Sequence, residues 1–220
     1  MTETSPVGTV ARPTSRYSTP DEQFRCRLTQ GIVQPGVELR IADLGTGEEL
    51  PWDGQVFGEV QVRGPWIASG YHNDADPERI TADGWLRTGD VASVSPDGYL
   101  TLVDRVKDVI KSGGEWISSV DLENAIMGHP QVAEAAVIGL PHPIWQERPV
   151  AYVVPRIEYG DQLSAAEILE FLSTRVAKWW LPDEVRFVAE VPKTSVGKFD
   201  KKALRVNAAP LAATDSRALT

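Results

Sequence analysis

Short apolar runs with a two-residue period fill the first half of the chain. Val37-Glu38-Leu39-Arg40-Ile41, Val60-Gln61-Val62 and Tyr99-Leu100-Thr101-Leu102-Val103 alternate, with Gly, Asp and Pro turns between them. This pattern predicts a mostly antiparallel β region over 36–102. After Arg105 the texture changes. Ser118 followed by Asp121 opens a helix with a capping-box pattern, and Gly128 with Pro130 closes it. Val132 to Ile138 and Val150 to Val154 read as buried strands. Ser164 and Glu167 cap a second helix with Ile168, Leu172 and Val176 on one face, and Val185 to Val188 reads as a further strand.

The fold class expected is α+β: a β-rich portion over 1–106, then a small α+β unit over 107–206. Residues 207–220 show no closing pattern and are expected to form a disordered tail. Met1 to about Arg27, with Pro6, Pro13 and Pro20 and no helical or strand period, is expected to be loop. The seven tryptophans are expected to be core or domain-interface anchors.

Composition narrows the function classes. Of 220 residues, 22 are Lys or Arg and 31 are Asp or Glu, a net charge of −9. Such a field repels nucleic acid and anionic membranes, so an anionic ligand has to be held by local groups. The single cysteine, Cys26, excludes an intramolecular disulfide framework and a Cys-rich zinc site, and fits a reducing cytoplasm. No apolar run reaches the roughly 20 residues of a membrane helix, and Met1 to Pro20 lack the features of a signal peptide. His72, His129 and His142 have no metal-ligand spacing, and a Gly-x-Ser-x-Gly elbow is missing.

Three segments carry candidate chemistry. In Trp85-Leu86-Arg87-Thr88-Gly89-Asp90, the carboxylate after a Thr-Gly turn can accept two hydrogen bonds from a vicinal diol, although taken by itself the segment reads better as a plain turn. In Asp104-Arg105-Val106-Lys107-Asp108-Val109-Ile110-Lys111-Ser112-Gly113-Gly114-Glu115-Trp116, a glycine pair lets backbone approach a phosphate or a narrow linear ligand, and Arg105 and Lys107 supply charge. A β-turn with solvated charges is the alternative. The third segment, Lys193 to Arg205, holds five cations against one anion. Its Gly197-Lys198 pair is no Walker loop, because Pro192 stands where the upstream Gly is required and Phe199 replaces Ser/Thr.

In this order the segments resemble the C-terminal half of the adenylate-forming acyl-CoA synthetases. Met1-Thr2-Glu3-Thr4-Ser5-Pro6 looks like that family's ATP/Mg motif, and Gly58-Glu59-Val60-Gln61-Val62-Arg63-Gly64, ending at Gly70-Tyr71, looks like its Gly-Glu strand motif. Arg87 to Asp90, Asp104 to Asp108 and Pro192 to Lys198 complete the series. Lys111 to Asn124, together with Pro141-His142-Pro143-Ile144-Trp145-Gln146-Glu147-Arg148-Pro149, is most similar to the medium- and long-chain fatty-acid members.

The resemblance implies ATP, Mg²⁺ and CoA as cofactors or co-substrates and a medium- or long-chain fatty acid as the acid activated in the cytoplasm. It places Thr2 and Glu3 at the ATP phosphates, with Glu3 helping to hold Mg²⁺. Asp90 falls on the ribose hydroxyls with Arg105 alongside, and Lys107 at the hinge between two half-reactions. Lys198 falls on the catalytic lysine of adenylation, and Gly113, Gly114 and Trp116 on the pantetheine path. The family's phosphate loop and acyl pocket lie upstream of the opening motif. A complementary N-terminal half is therefore an implied partner. The alternatives are a catalytically silent truncated product or docking module, and an amino-acid-adenylating or luciferase-like member of the same superfamily.

Overall fold

A computed structural model describes residues 1–159, 162–195 and 197–208. The chain divides into two compact units, one formed by Met1–Lys107 and the other beginning at Asp108. The sequence expectation began the second unit at 107, one residue earlier.

In the first unit, β1 (Thr9–Val10), α1 (Pro20–Arg27) and β2 (Ile32–Val33) precede a sheet of β3 (Glu38–Ala42), β4 (Gly58–Arg63), β5 (Leu86–Val94) and β6 (Leu100–Arg105). The four strands lie in sequence order and every pair is antiparallel, as the alternation predicts. Ile41, Val60, Val62, Leu86, Ala92, Val94 and Leu100 meet in one core.

The loop expected over the first 27 residues is corrected. A 3₁₀ turn covers Thr2–Thr4, and α1 opens on a full capping box between Thr19 and Glu22, with Pro20 in the first turn. Cys26 is its only buried residue, while Phe24 and Leu28 point to solvent, so the helix shows no apolar stripe for a periodicity reading to find. The segment before it is tied to the sheet. Tyr99 donates to the Arg12 carbonyl at 2.7 Å, Tyr17 packs edge-on against Tyr99, and Asp97 receives both Tyr17 Oη and Arg16.

The second unit is built on the long hairpin of β9 (Val132–His142) and β10 (Gln146–Pro155), after β7 (Ile110–Ser112), β8 (Glu115–Ile117) and α2 (Ser119–Met127), and before α3 (Ala165–Ser173), β11 (Glu184–Phe187) and α4 (Lys201–Asn207). Strand β9 borders β10 along its whole length. The other edge of β10 meets β7 at Gln146 and β11, in parallel, from Val150 to Val153. Alternate residues of the hairpin enter two cores. Ala135, Val137, Ala151 and Val153 pack with Leu122, Ile126, Ile168 and Leu172, while Ala136, Ile138, Val150 and Tyr152 pack with Val191 and Leu204. Both faces are covered, hence the unbroken apolar runs.

Both helix caps are found. Ser118 accepts from the Asp121 amide, and Ser164 and Glu167 form a reciprocal box. Val176, expected on the α3 face, lies beyond the helix but still packs on its core. Asn207, assigned to the tail, is the last residue of α4; 209–220 lie outside the described residues. Trp85 is buried, with Arg40 and Arg63 over its ring, and Trp180 packs on the second-unit core, whereas Trp52, Trp66, Trp145 and Trp179 are exposed. Among the described residues, no helix is long and apolar enough to cross a membrane.

Candidate active site

In the first unit two carboxylates are held ready. Glu3 stands in the 3₁₀ turn next to Thr2, whose carbonyl accepts the Ser5 amide, and the Glu3 carbonyl accepts the Ala68 amide at 2.9 Å. Tyr71 donates its hydroxyl to Glu3 Oε1 at 2.8 Å. Hydrogen bonds from its own backbone amide and from Tyr71 hold the Glu3 carboxyl below the usual glutamate range.

Asp90 and Arg105 face each other across β5 and β6 and form an ion pair of 2.7 Å. Gly89 adopts φ +73°, and a Cβ there would lie 2.9 Å from Arg79 Nη1. The Thr-Gly turn expected from the sequence is instead an irregular stretch inside β5, and the bare backbone there lets the Arg79 guanidinium close over it and donate to the Arg87 carbonyl at 3.0 Å. Arg79 also acts electrostatically on both Glu3 and Asp90. A charged cleft of about 340 Å³ opens beside them, lined by Glu59, Arg79, Arg87, Gly89, Arg105 and Lys107 among others. Of these, Glu59 and Arg87 form an ion pair at 2.7 Å.

Burial pushes the Asp90 carboxyl up, against the opposing pull of Arg105 and Arg79. By contrast, exposed Asp83, gripped by both Arg40 nitrogens, is lowered to about 2. The signs are opposite. Asp90 favours the folded state below its unfolded pKa and loses that contribution as pH rises through its folded value; Asp83 contributes above its unfolded pKa and loses that as pH falls towards 2. An NMR titration of the carboxyl carbons is expected to find Asp90 above the ordinary aspartate value, and higher still in Arg105→Gln. An Asp90 value unmoved by that substitution would remove Arg105 as its counter-ion.

In the second unit, Lys111 to Trp116 form the β7–β8 hairpin, with Gly113 at φ +62° and Gly114 at φ +92°. Two consecutive positive φ values are what a two-residue hairpin turn needs. Trp116 opposes Lys111, whose ammonium lies 5.1 Å from the indole centroid. The two glycines differ in surroundings. A Cβ on Gly113 would sit 2.9 Å from the Trp145 ring, whereas around Gly114 there is open space. Gly114→Ala should therefore cost only its backbone strain, about 1–2 kcal/mol, and Gly113→Ala should cost more. Urea midpoints test this, and equal losses would show that the Trp145 contact contributes nothing.

Lys198 lies on the loop before α4. Its backbone is fixed, with the Lys198 carbonyl accepting from the Thr194 amide at 2.7 Å and its amide donating to Thr194 Oγ1 at 3.3 Å, while its side chain is exposed and forms no ion pair among the described residues. The other cations of the segment behave differently. Lys193 pairs with Glu134, Lys201 with Glu123 and Arg205 with Asp108, at 2.5, 2.7 and 2.9 Å. Among the described residues, the positive charge that the sequence concentrates here is paired with carboxylates except at Lys198 and Lys202.

Arg105 and Lys107 line one cleft of the first unit, Asp90 is tied to it through its ion pair with Arg105, and Arg79, which also lines it, acts on both Asp90 and Glu3. Within the second unit, Lys198 and the glycine turn are kept apart. The loop carrying Lys198 is anchored at Glu134, while the glycine turn adjoins Trp145 and Gln146, whose strand partner is His142. These two anchor points, Glu134 and His142, are eight residues apart along β9, roughly 26 Å at the strand rise. Tyr71 and Arg79 were missed as site residues in the sequence. Gly70-Tyr71 was a motif there, but the Tyr71–Glu3 bond spans 68 positions.

Two family models match, AMP-binding enzyme over residues 1–72 and AMP-binding enzyme C-terminal domain over residues 121–198. The chain belongs to the adenylate-forming, AMP-binding enzyme family. It is 50% identical over 210 residues to a long-chain-fatty-acid–CoA ligase of Thermus thermophilus, covering 93% of this chain and 38% of that protein. It is 48% identical over 207 residues to a 3-methylmercaptopropionyl-CoA ligase of Ruegeria lacuscaerulensis, again covering 93% of this chain and 38% of that protein. Among solved structures, o-succinylbenzoate CoA synthetase from Bacillus subtilis, in complex with an acyl-adenylate intermediate, matches 94% of this chain and 39% of its own at 28% identity and a TM-score of 0.74. The chain thus spans well under half the length of the relatives it matches.

Proposed function

We propose that this chain supplies the nucleotide-ribose contacts and the mobile catalytic unit of a cytoplasmic fatty-acid–CoA ligase. The carrying observation is the separation inside the second unit, where Lys198 and the Gly113–Gly114 turn sit at opposite ends of one hairpin. A rigid unit built this way presents one end or the other to a single reaction centre, which suits a reaction in two halves.

In the first half, an oxygen of the fatty-acid carboxylate attacks the α-phosphorus of ATP. The bond to the bridging oxygen breaks, and pyrophosphate leaves. Asp90 accepts the ribose hydroxyls with Arg105 fixing its carboxylate, and the Lys198 ammonium meets the charge that grows on the phosphoryl oxygens. In the second half, the CoA sulfur attacks the acyl carbonyl, the carbon–oxygen bond to AMP breaks, and Gly113, Gly114 and Trp116 line the approach of the thiol arm. Lys107 is the pivot between the halves. On its first-unit side the Val106 amide is bound to the Gly89 carbonyl at 3.0 Å, and on its second-unit side Asp108 is held by Arg205. Both neighbours of Lys107 are thus held by their own unit, which supports a pivot at this residue.

Glu3 suits Mg²⁺: it is a hard oxygen donor, kept ionised and oriented by Tyr71. Magnesium is commonly held by one or two carboxylates together with substrate phosphates. When bound, it supplies charge neutralisation at the phosphates; Thr2 adjoins the same turn.

The test joins this chain in frame to the upstream portion of the Thermus thermophilus ligase. Expected is pyrophosphate release dependent on ATP and a fatty acid, followed by acyl-CoA when CoA is added. A folded, ATP-binding fusion that releases no pyrophosphate with any acid from hexanoate to stearate would sink the reading.

A further inference from the structure

Arg148 fills a gap in the sheet of the second unit. The edge of β10 that meets β7 at Gln146 meets β11 only from Val150 onward, and between those points no strand covers it. The Arg148 guanidinium takes that place. It donates to Asp183 Oδ1 at 2.7 Å, Ser112 Oγ at 2.9 Å, the Trp179 carbonyl at 2.8 Å and the Leu181 carbonyl at 2.9 Å, with its side chain only 12% exposed. A planar fork with several donors on one rigid group is what such a junction requires; a lysine ammonium cannot reach four acceptors spread in this way.

Ser112 is the last residue before the glycine turn, and the other anchors of that strand end come from the three residues preceding Arg148. The Gly113 amide donates to the Trp145 carbonyl at 2.9 Å, with the Trp145 ring against the bare face of Gly113. Gln146 makes the single ladder pairing with Ser112, at φ +69°, a backbone state that a non-glycine residue holds only under constraint. Glu147 Oε2 accepts the Lys111 amide at 3.0 Å. Four consecutive residues, 145 to 148, therefore fix three consecutive residues, 111 to 113. Hairpin β7–β8 is too short to hold an orientation by its own ladder.

We propose that Arg148 is the positioning residue of the thiol-transfer half-reaction: through Ser112 it sets the direction in which the Gly113–Gly114 turn projects, and it touches neither substrate nor nucleotide. This rests on the functional reading above, in which that turn lines the thiol path.

Two measurements test it. In the 220-residue chain alone, Arg148→Lys is expected to speed hydrogen exchange of the Gly113 amide about tenfold or more, as loss of a charged hydrogen-bond junction implies, and to leave the Val137 amide of β9 unchanged. In the fusion with the upstream ligase portion, the same variant should raise KM for CoA about tenfold while pyrophosphate release in the first half-reaction stays within twofold. Should Arg148→Lys unfold the unit, Ser112→Ala removes only the bond towards the turn, and the same two readouts apply with smaller changes. Unaltered Gly113 exchange overturns the proposal, as does a parallel fall in both half-reactions. If the unsubstituted fusion forms acyl-adenylate but no acyl-CoA, the thiol-transfer reading fails by itself, and Gly113 exchange still decides whether Arg148 holds the turn.

Discussion

Replacing Lys198 with alanine is expected to lower pyrophosphate release by about 10²–10³-fold, the usual loss when a preorganised charge at a developing oxyanion is removed. Transfer of preformed acyl-adenylate to CoA should stay within a few-fold, because the proposed function assigns that step to the other end of the β9–β10 hairpin. The structure gives the reason for singling out Lys198 among five cations. Lys193, Lys201 and Arg205 each have a carboxylate within 3 Å, so their charge is already compensated. Lys198 combines a fixed backbone with an exposed side chain that has no ion pair among the described residues. Lys202 is the control: it carries the same charge nearby, is exposed and has no ion pair among the described residues. Lys202→Ala should change pyrophosphate release less than threefold, as a screened surface charge does. Equal losses in the two variants would mean that the general field of the segment acts, and Lys198 would lose its assigned role.

The strands of both units were legible because burial writes itself into the period of the sequence. Alternation marked β3, β4 and β6, where one face meets the core, and unbroken apolar runs marked β9 and β10, where both faces do. The caps of α2 and α3 were legible for a different reason: Ser118 and Ser164 bond to amides three residues away, a range that a local reading covers. The same signal at Thr19 and Glu22 was present and passed over, since no apolar stripe followed it.

The site was legible only in part. Asp90 and Arg105 are fifteen residues apart and meet because β5 and β6 are neighbours in a meander. The partners that give the site its geometry are more distant. Arg205 meets Asp108 across 97 positions, Lys193 meets Glu134 across 59, and Arg148 meets Ser112 across 36. A count of charges along the chain therefore overstated the free positive charge between 193 and 205. Gly113 shows a similar shift of meaning. The sequence suggested room for a passing ligand, and the structure adds a positive φ and a tryptophan ring against its bare face.

Removing the carboxylate in Glu123→Ala is expected to destabilise the second unit by about 3–5 kcal/mol, the range for breaking one partner of a buried ion pair. Lys201 Nζ lies 2.7 Å from Glu123 Oε1, with the two side chains 11% and 9% exposed, and it also donates to Ser119 Oγ at 2.6 Å. Glu123 has a second task. Its Oε1 accepts the Val137 amide at 2.8 Å, on the edge of β9 that faces away from β10. The one carboxylate thus closes an open strand edge and neutralises the ammonium that ties the start of α4 to α2. Glu123→Gln separates the two roles, because an amide oxygen can still accept from Val137 while the charge is gone. The unpaired ammonium then dominates, and Glu123→Gln should lose most of what Glu123→Ala loses; Glu123→Gln combined with Lys201→Met should recover part of it. Urea unfolding followed by a probe in the second unit measures all three. A loss below about 1 kcal/mol in Glu123→Ala, the size typical of exposed pairs, would refute the view that this pair anchors α4, and with it the physical account of why the Lys198 loop is held in place.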